Sequence, residues 1–96
     1  MFALKSGTIF TPTKICKDAH IIVDKGKIVK LAKTVPKNVK VYSYENCIIS
    51  PGFVDIHTHG GFGVDLMVSN ASDIKKFIEK LPETGVTSFV PSTVTD

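Results

Sequence analysis

Arginine is absent from the 96 residues: all twelve basic side chains are lysine. A nucleic-acid surface usually interleaves arginine and aromatic residues on one basic face, so no nucleic-acid partner is expected. The lysines punctuate alternating segments, where charge keeps an open strand edge from pairing with another molecule. Charge is also divided along the chain. Nine lysines against Asp18, Asp24 and Glu45 give residues 1–50 a balance of +6, and three lysines against six acids give residues 51–96 a balance of −3. Cysteine is scarce as well. Cys16 and Cys47, with no Cys-x-x-Cys spacing, do not make the disulfide framework of a secreted miniprotein. No apolar run approaches the ~20 residues of a membrane span. Met1-Phe2-Ala3-Leu4-Lys5 has neither the apolar core nor the cleavage site of a secretory signal. These absences point to a reduced, cytoplasmic setting with no membrane partner, and a 43% hydrophobic, 22% charged composition is that of an ordinary globular protein.

What the chain does hold divides near residue 50. Residues 2–10 alternate apolar and polar side chains and break at Ser6-Gly7, which suggests two strands or one bent strand. Residues 11–18 read as a polar connection. Ile21, Ile22 and Val23 lead into Asp24-Lys25-Gly26-Lys27 and then Ile28, Val29 and Leu31, a hairpin whose glycine can take the positive φ of a tight turn. Residues 33–38 form a loop. Val39, Val41 and Tyr42, and then Cys47-Ile48-Ile49, give two further short strands. Residues 1–50 are thus expected to be a small, mostly antiparallel β unit, with His20 at its surface.

The second half is organised around Pro51-Gly52-Phe53-Val54-Asp55-Ile56-His57-Thr58-His59-Gly60-Gly61. Phe53 to Thr58 read as a strand, entered by a turn and left through glycines. Alternation puts Phe53, Asp55, His57 and His59 on one face and Val54, Ile56 and Thr58 on the other. This largely apolar pattern suits a parallel strand buried on both sides. A lone histidine is more often a hydrogen-bonded core or surface residue. Two imidazoles one strand-step apart, at a strand's end before a glycine loop, are better explained as neighbouring ligands of one divalent metal ion. After a loop at Gly60, Gly61 and Gly63, the stretch Ser69 to Ser72 offers helix N-caps. Ile74, Phe77, Ile78 and Leu81 then recur at helical spacing, with Lys75, Lys76, Glu79 and Lys80 opposite. Pro82 and Gly85 end the helix, and Val86 to Val90 form a second buried-type strand. Strand, helix, strand implies parallel pairing with a right-handed crossover. One such unit leaves a sheet face and both edges open, so residues 1–96 are expected to be the N-terminal part of a larger protein.

A β lobe followed by Pro51 to Gly60 resembles the start of the amidohydrolase superfamily, whose first barrel strand ends in His-x-His. Gly60-Gly61-Phe62-Gly63-Val64-Asp65-Leu66-Met67 and the stretch from Thr84 to Thr95 are similar, within that superfamily, to the N-acetylglucosamine-6-phosphate deacetylases. The resemblance implies an α/β fold: an incomplete small β-sandwich lobe (residues 1–50), then the first βαβ unit of a (β/α)8 (TIM) barrel (residues 51–96). It implies hydrolysis of an acetamide to glucosamine 6-phosphate and acetate, with a divalent metal, zinc first and iron or another divalent ion as alternatives. His57 and His59 are the metal-ligand positions it assigns. Asp55 would be a carboxylate that orients a ligand or supports the strand, and Asp65 a loop cap. No catalytic residue is assigned within residues 1–96, because the family's general base comes from strands beyond Asp96. The implied partners are an amino-sugar phosphate and a second subunit of a homodimer. A dihydroorotase- or hydantoinase-like cyclic amidase is the alternative enzyme, and a non-catalytic remnant with two metal-binding histidines is the alternative outside enzymology.

Overall fold

A computed structural model describes residues 1–94, so Thr95, the last residue of the second deacetylase-like stretch, lies outside the described residues. The chain separates into two units, Met1–Pro51 and Gly52–Asp96. The first is a five-stranded sheet built on β1 (Phe2–Phe10). β1 runs unbroken through Ser6-Gly7 and pairs antiparallel with β2 (Ile15–Asp24) from Phe2↔Val23 to Phe10↔Ile15. β2 therefore begins at Ile15 and takes up the last four residues, 15–18, of the expected polar connection. Lys17 and Asp18 are exposed strand residues, and the connection shrinks to a turn in which Thr11 N–H donates to the Lys14 carbonyl at 2.9 Å. β2 turns into β3 (Lys27–Ala32) through Lys25 and Gly26 at φ 50° and 75°. Positive φ at both turn residues is the geometry that matches the twist of a two-residue hairpin.

The other side of β1 departs from the antiparallel expectation. β4 (Lys40–Ser43) and β5 (Ile48–Ile49) both pair with β1 in parallel, β4 along Phe2–Lys5 and β5 along Thr8–Ile9. Ser6 and Gly7 are the reason for two short pieces in place of one long one. The buried Ser6 hydroxyl donates to the Cys47 carbonyl at 2.6 Å and accepts from the Thr8 amide at 3.1 Å, which holds the intervening turn against the strand. A Cβ on Gly7 would lie 3.4 Å from the Glu45 carbonyl, so glycine admits the turn. Beside it, the exposed Lys5 and Glu45 pair at 2.5 Å. This hydrogen bond and its charge hold the Glu45 carboxyl below its ordinary range and the Lys5 amine above its own.

Ile9, Ala19 and Ile21 form the buried cluster of this unit, with Leu4, Cys16, Val23 and Ile49 packed on it. His20, expected at the surface, is half-buried between Lys5 and Ala32, and its Nδ1 is buried without a hydrogen-bond partner, because strand pairing on both sides encloses it. The described strands of residues 1–50 form one five-stranded sheet, where an incomplete sandwich was expected.

In the second unit, β6 (Phe53–Thr58) has the bounds read from the sequence and pairs in parallel with β9 (Val86–Pro91). The glycine loop between them is itself folded. β7 (Gly60–Gly61) and β8 (Val64–Asp65) make a miniature hairpin turning at Phe62 and Gly63, φ 52° and 78°. α1 (Ala71–Lys80) starts at Asn70, whose side-chain oxygen accepts from the Asp73 amide at 2.9 Å. That cap satisfies one of the otherwise unpaired amides of the first turn. Pro82 does not stop the chain's winding but sits in a 3-10 turn, Leu81–Thr84, closed by Gly85 at φ 89°. Proline is tolerated there because the first turn of a helix needs no amide donor.

Phe77 is the centre of this unit. It is 1% exposed and meets Phe89 edge-on at 5.4 Å and Phe62 at 6.3 Å. Ile78, expected on the same inward stripe, is 48% exposed. Phe77 reaches the two-stranded sheet at Phe89, and Leu81 in the following 3-10 turn is also buried. The expectation that β6 is buried on both faces is not met: Phe53, Val54 and Ile56 are 65%, 64% and 78% exposed, and among the described residues β9 is its one partner strand.

Candidate metal centre

His57 closes β6 and His59 follows it by one strand-step, and the structure brings their rings together. The centroids lie 4.8 Å apart at an interplanar angle of 85°, and the two Nε2 atoms are 3.0 Å apart. Nitrogens each ~2.0–2.1 Å from a shared tetrahedral zinc ion are separated by roughly 3.3 Å, so two convergent nitrogens at 3.0 Å fit neighbouring ligand positions. The same separation also fits a direct N–H···N hydrogen bond between the two rings.

Three local devices produce this convergence. The Asp55 carboxylate accepts from the His57 amide at 3.0 Å; it fixes the backbone under the first imidazole and does not touch either ring. At the same point the β6–β9 register shifts between Asp55 and Thr58, as a strand does when an amide leaves the ladder for a side chain. The second device is the β7–β8 hairpin. Leu66 N–H donates to the His59 carbonyl at 2.9 Å, and Gly60 holds φ 132° with the Val64 carbonyl so close that a Cβ would sit 2.0 Å from it. Asp65 caps this loop: its carboxylate accepts from Met67 N–H at 2.9 Å and its carbonyl from Ser69 N–H at 2.9 Å.

Ser92, just past β9, is the third. Its amide donates to the Thr58 carbonyl at 2.8 Å, continuing the parallel pairing beyond Pro91. Its carbonyl accepts from His59 Nδ1 at 2.9 Å, and its Oγ lies 3.3 Å from His57 Nδ1. A carbonyl can only accept, so His59 donates from Nδ1, the tautomer that in a neutral ring leaves the lone pair on Nε2, the form a metal takes. Sequence reasoning missed Ser92. Its only signal was the Val86–Val90 strand, whose pairing with β6 brings residue 92 beside residues 57 and 59. Among the described residues no group of three or more His, Cys, Asp or Glu side chains gathers to hold a metal. Two nitrogens alone would leave a tetrahedral metal site short of ligands.

The fold has a close counterpart among solved structures. The N-acetyl-D-glucosamine-6-phosphate deacetylase of Mycobacterium smegmatis superposes with a TM-score of 0.84 over all of this chain and 27% of its own, at 23% identity. Sequence narrows the likeness further. The N-acetylglucosamine-6-phosphate deacetylase of Bacillus subtilis is 32% identical over 95 residues, which are 96% of this chain and 24% of that protein. A dihydroorotase of Clostridium acetobutylicum is 34% identical over 62 residues, 62% of this chain and 15% of that protein. No protein-family model matches. The resemblance read from the residues around His57 and Thr84 is therefore a resemblance to N-acetylglucosamine-6-phosphate deacetylases, and the chain spans about a quarter of the length of the Bacillus relative.

Proposed function

We propose that residues 1–96 are the N-terminal segment of a metal-dependent amide hydrolase of (β/α)8-barrel type that removes the acetyl group of N-acetylglucosamine 6-phosphate. The observation that carries the proposal is the convergence of His57 and His59 Nε2 at 3.0 Å on a scaffold whose sequence likeness to such deacetylases runs almost end to end. A divalent ion, zinc first and iron or another as alternatives, would be held by these two nitrogens and by ligands from the rest of the protein. When bound it would polarise the acetamide carbonyl and lower the pKa of a water molecule. The overall change adds water across the amide, releasing acetate and the amine of glucosamine 6-phosphate.

Within this scheme the described residues position rather than transfer protons. His57 and His59 would offer their Nε2 atoms to the ion, Ser92 and the β7–β8 hairpin fix their directions, and Asp55 accepts from the His57 amide. The general base belongs to a segment beyond Asp96. A homodimer in the cytoplasm is part of the same reading. It is compatible with the absence, among the described residues, of any helix long and apolar enough to cross a membrane. On its own this segment lacks the remaining ligands and the base, and is inactive.

The likeness to a dihydroorotase supports a second reading, a cyclic amidase on the same scaffold. Presenting the protein expressed from its natural gene with N-acetylglucosamine 6-phosphate and, separately, with dihydroorotate decides between them. Acetate release with no ring hydrolysis is the expected result. Ring hydrolysis without acetate release establishes the second reading, and neither activity leaves the non-catalytic one.

A further inference from the structure

Both imidazoles of the pair rest on a single residue of the neighbouring strand, and they rest on it differently. His59 Nδ1 faces the Ser92 carbonyl at 2.9 Å, which can only accept, so His59 keeps one tautomer. His57 Nδ1 faces the Ser92 hydroxyl at 3.3 Å, which can donate or accept. That hydroxyl has a second partner, the Val90 carbonyl at 3.4 Å. Its two choices therefore impose opposite tautomers on His57.

If the hydroxyl donates to His57 Nδ1, the ring proton sits on Nε2 and points at the His59 Nε2 lone pair 3.0 Å away. The two rings are then joined by a hydrogen bond, and neither lone pair is left facing the other. If the hydroxyl donates to the Val90 carbonyl, its oxygen accepts from His57 Nδ1–H, and Nε2 of both rings is a free lone pair. The first arrangement stabilises the empty pair; the second is the only one that can bind a cation through both nitrogens.

We infer that Ser92 is a positioning residue whose hydroxyl rotates between these two arrangements, switching the His57 tautomer when the histidine pair takes up a divalent metal. The inference rests on the metal reading of His57 and His59. The proton leaves Nε2 to solvent and one is regained at Nδ1, so the change is an exchange of tautomers with no net proton released. A hydroxyl is the smallest side chain that can serve as donor in one state and acceptor in the other; a backbone carbonyl at that place would hold only one tautomer, and a methyl group neither. His59, fixed by a carbonyl, does not switch.

The test is ¹⁵N NMR of the imidazole nitrogens in the full chain, without and with zinc, together with zinc affinity from competition with a chelating dye. The expected result is a His57 signal that changes from Nε2–H to Nδ1–H on zinc addition, while His59 stays Nδ1–H throughout. Ser92→Ala should weaken zinc binding roughly tenfold, the lower end of the effect of losing an outer hydrogen bond to a metal-binding histidine. Ser92→Thr, which keeps the hydroxyl, should stay within about threefold of the parent protein on the same scale. A His57 tautomer that is the same with and without zinc overturns the switch. So does a Ser92→Ala protein that binds zinc as the parent does, while His57→Ala does not. Zinc affinity unchanged in His57→Ala itself overturns the metal reading, and this inference with it.

Discussion

Gly26 and Gly60 both take positive φ, at 75° and 132°, but a methyl group meets different surroundings at each. At Gly26 nothing lies within 4 Å of an added Cβ, and the cost is that of a left-handed residue alone. At Gly60 the Cβ would enter the Val64 carbonyl at 2.0 Å, so the β7–β8 hairpin has to open, taking with it the Leu66 bond that holds His59. Gly26→Ala should therefore cost about 1–2 kcal/mol in thermal unfolding and leave zinc affinity unchanged. Gly60→Ala should cost more than the ~1–3 kcal/mol of backbone strain alone and weaken zinc binding as well. Equal loss of zinc binding in the two variants would contradict the role given to the hairpin. At this scale the sequence was informative where chemistry lies in near neighbours: His57 and His59 are two residues apart, and strand alternation puts them on one face. Ser92 was not legible, because its place depends on a parallel pairing between segments more than thirty residues apart, and the identity of the residue gives no hint of it.

At the scale of elements, β6, the Asp24–Lys27 hairpin, α1 and β9 were all readable, since each is specified by local periodicity and a turn residue. The elements misread are those fixed by partners. β4 and β5, expected in a mostly antiparallel unit, run parallel to β1 on either side of a turn at Tyr44–Cys47, whereas the unbroken β1 is one of the two forms the sequence left open. Nothing in the short apolar runs around Val41 and Ile48 distinguishes parallel from antiparallel. α1 illustrates the limit of periodicity as well. Ile74, Phe77, Ile78 and Leu81 have helical spacing, yet only Phe77, against Phe89 and Phe62, and Leu81 are buried, while Ile78 is exposed. Phe77→Ala should destabilise the second unit by about 3–5 kcal/mol, the usual cost of deleting a buried phenyl ring. Ile78→Ala should cost much less, since Ile78 is already half exposed. Thermal unfolding of the two variants checks this, and comparable losses would contradict the assignment of Phe77 as the anchor of the helix.

For the whole molecule, the apolar exposure of β6 and the two-ligand histidine pair point the same way. Phe53, Val54 and Ile56 carry the pattern of a buried parallel strand and are largely open to solvent, and His57 and His59 carry the pattern of a metal site that two residues do not complete. Both are accounted for if further barrel strands pack against this unit and bring the remaining ligands, in keeping with a match to about a quarter of the Bacillus deacetylase. That much of the proposed architecture could be anticipated from the amphipathic helix and the open strand faces; its catalytic chemistry could not, because the sequence reading assigns no general base within residues 1–96. The most direct measurement is acetate release from N-acetylglucosamine 6-phosphate by the protein from its natural gene, beside its His57→Ala variant, each with zinc supplied. Turnover by the parent protein and a loss of about a hundredfold or more in the variant is the expected result, on the scale of a several-kcal/mol metal contribution. Undiminished turnover in His57→Ala would contradict the assignment of this histidine pair to the catalytic metal.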